Sequence, residues 1–214
     1  MTMIYEKERS QVAYFMRRLY RQGLTTTSGG NISCLLPNGN VAITASRLDK
    51  CELQADGVGV VSLEDGTTLT PELKLSIETS LHLEIYKHRP DVKAIVHAHP
   101  VTATAFCAMK TPLDTHLTAE AYALLGEPVW IPYALMGTVA LAHNVADCMK
   151  APAVCGLMEN HGVLALGDTL LSAFDRLELL EAAAKQTVIV AQMKSVHRLE
   201  REQLQELDRF VDRQ

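Results

Sequence analysis

The chain has 214 residues, 48% hydrophobic and 21% charged, and this composition indicates one globular domain spanning residues 1–214. A net charge of −5, with no run of lysine or arginine, argues against a nucleic-acid partner. The amino terminus is charged, no apolar run approaches the roughly 20 residues that span a bilayer, and the five cysteines form no CxxC pair, so we expect no membrane contact, no disulfide framework and a cytoplasmic location.

The amino-terminal part of the chain is predicted to form a helix followed by antiparallel strands. Apolar residues recur at helical spacing before Gly23, which is a natural helix stop. Asn38-Gly39 is a hairpin signal, and the short links between the strands require antiparallel pairing. The predicted elements are a helix at 4–21, a small polar loop at 25–33, and strands at 32–36, 41–44 and 58–63.

A second helix and a buried strand are predicted in the middle of the chain. Ser76 is a favourable N-cap, so we expect a helix at 77–88 with Glu78 in its first turn. The helix dipole favours a carboxylate there, which is a sufficient structural reason for it. The same carboxylate can also reach a metal held by the next strand, at 93–99.

The remainder of the chain alternates short helices and strands before a long helix. Thr138 is predicted to cap a helix that turns Val139 inward, and one strand is expected to end at His161. The predicted elements are helices at 101–109, 119–125, 139–149, 170–193 and 198–211, and strands at 129–131, 153–161 and 163–166. The sum is an α/β (α+β-like) domain in which helices flank a central, largely antiparallel sheet.

Two apolar runs of the sequence end in histidine. His97 and His99 are one residue apart, so on a strand both side chains project from one face. His161 ends another apolar run, and if the two runs are neighbouring strands the three imidazoles suit a catalytic zinc with an open position. The alternative is that these are hydrogen-bonded core histidines, because the His-x-His pattern is short and common.

The polar loop at 25–33 also has two interpretations. Its glycines let a backbone approach a ligand closely, and its hydroxyl and amide groups can hold phosphate oxygens. The simpler interpretation is an ordinary turn.

Five motifs of the sequence, taken in order and spacing, resemble one known family. They are Ser28-Gly29-Gly30-Asn31-Ile32-Ser33, Ile43-Thr44-Ala45-Ser46, Glu78 with His82, His97-Ala98-His99 and Asn160-His161-Gly162. The chain resembles the class II aldolase and adducin-head family over residues 5–192, and is most similar to its bacterial L-fuculose-1-phosphate aldolase branch. The resemblance implies the class II aldolase fold, a zinc-dependent cytoplasmic enzyme, and a fourfold-symmetric homotetramer with active sites between subunits.

The same resemblance implies a role for particular residues. A ketose 1-phosphate would be cleaved to glycerone phosphate and a short aldehyde such as lactaldehyde, with zinc stabilising the enediolate. Glu78 would be the base that exchanges the proton on the enediolate carbon. The implied zinc ligands are His97, His99 and His161, and the implied phosphate-binding residues are Asn31, Ser46 and Ser76.

Three positions depart from the aldolase branch. Arg47 stands where that branch has glycine, and its guanidinium can bind phosphate or carboxylate or point to solvent. Ile77 replaces a serine. Glu120 replaces the proton-donating tyrosine and resembles the catalytic carboxylate of the methylthioribulose-1-phosphate dehydratase branch, and the alternative is an ordinary exposed helix residue.

Three hypotheses therefore stand. The first is an aldolase for a small ketose phosphate, which the complete metal set favours. The second keeps fold and metal but performs dehydration, 4-epimerisation or decarboxylation of a sugar phosphate, as Arg47, Ile77 and Glu120 suggest. The third is a non-catalytic assembly module like the adducin head, which lacks the metal ligands; the three histidines weigh against it.

Overall fold

The computed structural model describes residues 4–109 and 111–212. The strands are β1 (Asn31–Leu35), β2 (Asn40–Thr44), β3 (Val58–Ser62), β4 (Ala94–Ala98), β5 (Val129–Ile131), β6 (Cys155–Met158) and β7 (Gly162–Gly167). The α-helices are α1 (Glu6–Arg21), α2 (Thr79–His88), α3 (Val101–Phe106), α4 (Ala119–Leu125), α5 (Val139–Cys148), α6 (Leu170–Val190) and α7 (Arg201–Phe210). None of the helices in this described part is long and apolar enough to cross a bilayer.

One sheet organises the described residues. Its seven strands lie in the order β3-β2-β1-β4-β7-β6-β5, and every pair is antiparallel except β5 with β6. The predicted fold class, a largely antiparallel sheet with flanking helices, is confirmed. The register pairs Asn31 with His97 and Ala98 with Val163, so the glycine-rich loop before β1 and the turn before β7 both meet the end of β4.

Two apolar cores cover the two faces of the sheet. The first packs α1 and α6 against side chains such as Ile32 and Val96, and the second packs α2 and α5 against side chains such as Ile95. Because side chains alternate along a strand, His97 shares the face of Ile95 and points toward α2. Asn31 and Ser33 on β1 have the same parity and face the same helix.

Three local predictions are wrong. Helix α2 begins at Thr79, not at residue 77, and Glu78 is its N-cap, because Ser76 instead closes a turn in which its Oγ accepts from the Glu78 N–H and its carbonyl accepts from the Thr79 hydroxyl. Val139 is 65% exposed because it occupies the first position of α5, outside the helix face that packs on the core. The strand predicted to end at His161 stops at Met158, since Glu159 and Asn160 form a turn in which Asn160 has φ +52°.

Candidate functional site

Three histidines meet at the end of β4. His97 is in β4, His99 follows it by two residues on the same face, and His161 lies in the turn that leads into the neighbouring strand β7. The ring centroid of His97 lies 4.7 Å from that of His99 and 5.0 Å from that of His161. One nitrogen from each ring lies within 4.8 Å of the others, so these side chains, the histidine cluster, could hold one metal ion.

The histidine cluster is prepared for a metal by burial and by hydrogen bonding. Burial lowers the pKa of His97, and burial together with the His97 and His161 charges lowers the pKa of His99 to about 3, so both rings are neutral at neutral pH. Nδ1 of His97 lies 3.0 Å from the Val163 carbonyl and must donate to it. That bond fixes the tautomer in which the Nε2 lone pair faces the cluster.

Glu78 brings a carboxylate to the same point. Its Oε2 lies 3.3 Å from Nε2 of His97, and its Oε1 lies 3.0 Å from Nε2 of His161. Burial would raise the pKa of Glu78, but the His97 and His161 rings and the Asn31 N–H donor hold it well below its usual value. Oε1 of Glu78 and Nε2 of His97 are buried, and despite these short distances neither atom has a hydrogen bond of good geometry among the described residues. Three imidazoles and one carboxylate, two of whose donor atoms lack a hydrogen bond of good geometry, fit a divalent cation.

A chain of buried hydrogen bonds extends from Glu78 into the protein. Asn31 Nδ2 donates to Glu78 Oε2 at 2.8 Å, and Asn31 Oδ1 faces His82 Nε2 at 2.5 Å. Nδ1 of His82 meets Ser33 Oγ at 2.7 Å, and Ser33 Oγ meets the Tyr86 hydroxyl at 2.8 Å. Since Asn31 Oδ1 can only accept, His82 Nε2 must donate, and Nδ1 then accepts from Ser33. In this chain of hydrogen bonds, here called the relay, every bond therefore has a defined donor and a defined acceptor.

Burial keeps the relay in that state. His82 is fully buried, and burial followed by the His97 charge lowers the pKa of His82 to about 3, so its ring is neutral. Asn31 and Ser33 share one face of β1, and His82 and Tyr86 are four residues apart on α2. The position of the Glu78 carboxylate consequently depends on the packing of α2 against β1.

Two glycines let the backbone come close to the histidine cluster. Gly30 has φ +66°, and a Cβ there would lie 2.7 Å from the His97 carbonyl oxygen. A Cβ at Gly162 would lie 2.5 Å from Cδ2 of His99. Side chains at either position would displace a histidine.

A cavity of about 510 Å³ is lined by Glu78 and by two members of the histidine cluster, His99 and His161. Another part of its lining, here called the polar wall, consists of hydroxyl and cationic side chains. Backbone bonds from Ser46 to Lys74 and from Lys50 to Thr27 join its segments. The members of the polar wall are Ser28, Ser46, Arg47, Lys50, Lys74 and Ser76.

The predicted substrate-binding residues all line this cavity. Ser46 Oγ donates to the Leu75 carbonyl at 3.0 Å, and the Asn31 amide is engaged with Glu78 and His82, so their phosphate-binding roles stay predictions. Arg47 is exposed and has φ +59°, the conformation that the glycine of the aldolase branch would adopt without strain.

Glu120 is the predicted site residue that the structure keeps apart from the others. It is exposed in the first turn of α4 and does not line the cavity of its own chain. Its catalytic role stays a prediction.

Two functional candidates were not predicted to have a role. His82 appears in the sequence only as a companion of Glu78, and its two hydrogen bonds depend on β1, which is distant in sequence. Lys50 lies in a polar turn with no periodic signal, yet only 1% of it is exposed.

The comparisons with known proteins agree with one another. The sequence matches the family described as Class II Aldolase and Adducin N-terminal domain over residues 10–188. It is 30% identical to an L-fuculose phosphate aldolase of Methanococcus maripaludis, over 83% of this chain and 94% of that protein. It is 32% identical to a methylthioribulose-1-phosphate dehydratase of Gluconobacter oxydans, over 80% of this chain and 86% of that protein. A solved structure of an L-fuculose 1-phosphate aldolase superposes with TM-score 0.89 at 28% identity, covering 98% of each chain.

Proposed function

Because the chain belongs to the class II aldolase and adducin N-terminal domain family, we propose that it is a metal-dependent aldolase for a small ketose 1-phosphate. Cleavage of an L-fuculose-1-phosphate type of substrate would give glycerone phosphate and a short aldehyde such as lactaldehyde. The observation that carries this proposal is the meeting of the histidine cluster with Glu78 in a cavity that also has a polar wall of hydroxyl and cationic groups.

The metal would be held by His97, His99 and His161, with Glu78 beside them. We propose zinc, since three imidazole nitrogens suit it, although other divalent transition metals accept the same donors. When bound, the cation supplies Lewis-acid stabilisation of the negative charge that develops on the substrate as the carbon–carbon bond breaks.

Glu78 would transfer the proton. Asn31 holds Oε2 through a hydrogen bond, whereas Oε1 has no hydrogen bond of good geometry, so we assign to Oε1 the transfer of a proton from the hydroxymethyl carbon of glycerone phosphate in the condensation direction. In the cleavage direction the same oxygen returns the proton. His82 supports this by fixing the orientation of the Asn31 amide, because its Nε2–H can only pair with the amide oxygen.

The polar wall would receive the substrate phosphate. Ser46 and Ser76 bring hydroxyls to it, and Arg47 stands exposed at its surface as a bidentate donor. A phosphorylated substrate is also what membership of this family implies.

The assembly we propose is a cytoplasmic homotetramer with active sites between subunits. Glu120 would then reach the cavity of a neighbouring subunit, where it would exchange a proton with the C4 hydroxyl of the ketose. Its exposure on α4 and its absence from the cavity of its own chain support this arrangement.

The second candidate function is dehydration of a methylthioribulose-1-phosphate type of substrate by the same metal site. Glu120 and the similarity to the Gluconobacter oxydans dehydratase favour it. The 4-epimerase and decarboxylase reactions belong to the same alternative. A similar protein from Pectobacterium atrosepticum, 31% identical to this chain, is named a 3-oxo-tetronate 4-phosphate decarboxylase. An assembly module without catalysis is disfavoured because it would not need a histidine cluster.

Proton exchange tests the proposal without knowledge of the aldehyde. Zinc-loaded protein is incubated with glycerone phosphate in deuterium oxide, and NMR follows the hydroxymethyl protons. We expect stereospecific exchange of one proton, and loss of that exchange in Glu78→Gln. Absence of exchange from protein with zinc bound by elemental analysis would contradict the aldolase and favour the second candidate.

A further inference from the structure

Lys50 is a buried cation that has no counter-ion among the residues that the structure describes. Only 1% of the residue is exposed, and it is among the largest fully buried side chains of the chain. Its ammonium group has three N–H donors, and the hydrogen bond found among the described residues is to the Ala45 carbonyl, at 2.9 Å. No carboxylate of those residues forms an ion pair with it, and burial lowers the pKa of Lys50 to about 8.

The position of Lys50 connects two segments of the polar wall. Its backbone N–H donates to the Thr27 carbonyl at 2.9 Å, which joins it to the glycine-rich loop. Its side chain donates to the carbonyl of Ala45, the residue before Ser46. Lys50 lines the same cavity as the hydroxyls of Ser28, Ser46 and Ser76. It is not a neighbour in sequence of any residue of the histidine cluster.

A purely structural role explains this arrangement poorly. A buried charge destabilises the fold unless it is paired, whereas one backbone carbonyl can be satisfied by water or by an uncharged donor. A methionine would fill nearly the same volume without that desolvation cost. The cost is understandable if the ammonium group receives its partner from a bound ligand.

We propose that Lys50 is the buried cation of the substrate-binding site and pairs with the phosphate group of the substrate. The proposal rests on the function proposed above and deepens it, since the phosphate becomes the counter-ion that the described residues do not provide. Hydroxyls of the polar wall complete the donor set, and exposed Arg47 and Lys74 draw the anion toward it.

The test is calorimetric titration of the metal-loaded, full-length protein with inorganic phosphate. Lys50→Met is expected to weaken phosphate binding by about 10- to 100-fold, which is the value of a charge-assisted hydrogen bond. The matched control is Lys93→Met, because Lys93 also donates to a backbone carbonyl but is exposed and outside the cavity. The control should bind phosphate like the wild type.

Thermal unfolding separates binding from structure. If Lys50 acts through phosphate, Lys50→Met unfolds at the wild-type temperature or above it in phosphate-free buffer, and it loses the stabilisation that phosphate gives the wild type. A lower unfolding temperature with unchanged phosphate affinity would overturn the proposal and assign Lys50 to the Ala45 contact alone.

A second measurement covers the case in which Lys50→Met does not fold. In wild-type protein labelled with ¹⁵N-lysine, the ammonium resonance that is missing from Lys50→Arg is expected to shift with inorganic phosphate and not with sodium chloride of equal ionic strength. An unmoved resonance in protein that binds phosphate would overturn the proposal.

These outcomes are independent of the aldolase assay. Phosphate binding that depends on Lys50, in protein that shows no proton exchange with glycerone phosphate, would retain this inference and reject the aldolase. Proton exchange in wild-type protein together with equal phosphate affinity in Lys50→Met would retain the aldolase and reject this inference.

Discussion

The histidine cluster and the polar wall meet at one cavity but are organised in different ways. Around the cluster the protein supplies its own order: a carbonyl fixes His97, and the relay through Asn31 and His82 fixes Glu78. In the polar wall, Lys50 lacks a counter-ion among the described residues and Arg47 has an unfavourable backbone conformation. The first region is preorganised for chemistry, whereas the second accepts a stability cost that an anionic ligand would offset.

The largest effect is expected when one proposed metal ligand of the histidine cluster is removed. His97→Ala is expected to lower metal affinity by more than about 100-fold, because loss of a direct ligand exceeds the effect of losing its supporting hydrogen bonds. Elemental analysis after dialysis measures the metal, and circular dichroism shows whether the fold is retained. His143→Ala, on the exposed side of α5, is the control and should retain metal. Full metal content in folded His97→Ala would contradict the assignment.

Glu78→Gln tests chemistry separately from metal binding. The amide has the same shape but cannot accept the proton, so turnover should fall by about 10²- to 10⁴-fold while the metal is retained. Single-turnover rates and metal content are measured on the same preparation. Undiminished turnover would show that Glu78 is not the base.

His82 tests whether the relay matters beyond packing. His82→Leu leaves Asn31 Oδ1 without its donor, and we expect kcat to fall by about 10- to 100-fold with little change in KM. His82→Gln can still donate to Asn31 and should recover part of that loss. If His82→Gln loses as much stability and as much kcat as His82→Leu, the relay has only a structural role.

The pH dependence of stability tests the polar wall. Because the pKa of Lys50 is lowered to about 8 from an ordinary 10.5, its charged form costs stability below pH 8, and this cost disappears as pH rises toward 10.5. In phosphate-free buffer, Lys50→Met should therefore exceed the wild type by at most about 3 kcal/mol at pH 7, and by less at pH 10. Urea unfolding at the two pH values gives the difference. A pH-independent difference would mean that the ammonium group is not destabilising.

The smallest expected effect is at Arg47. Arg47→Gly should raise the free energy of unfolding by about 1 kcal/mol, since glycine adopts a positive φ without strain. The same variant should raise KM for a phosphorylated substrate if the guanidinium binds the anion. Unchanged KM would place that side chain in solvent.

The sequence predicted those features that depend on periodicity and local turns. The Asn38-Gly39 hairpin, the strand alternation around His97 and the amphipathic helices are present as expected. The start of α2 was missed because Ser76 forms a turn that competes with an N-cap, and the place of His161 was missed because a two-residue turn is hidden in an apolar run. Lys50 and His82 acquire their roles only from neighbours that are distant in sequence or supplied by a turn, so no spacing rule identifies them.

The relay between β1 and α2 has a consequence for how activity is acquired during folding. The histidine cluster needs only β4 and the turn before β7, whereas Glu78 reaches its position only after α2 has docked on β1 through His82 and Ser33. In a refolding chain we therefore expect metal binding to recover no later than turnover, because turnover also requires α2 to dock on β1. The interval between the two recoveries would measure how late in folding this strand and this helix come together.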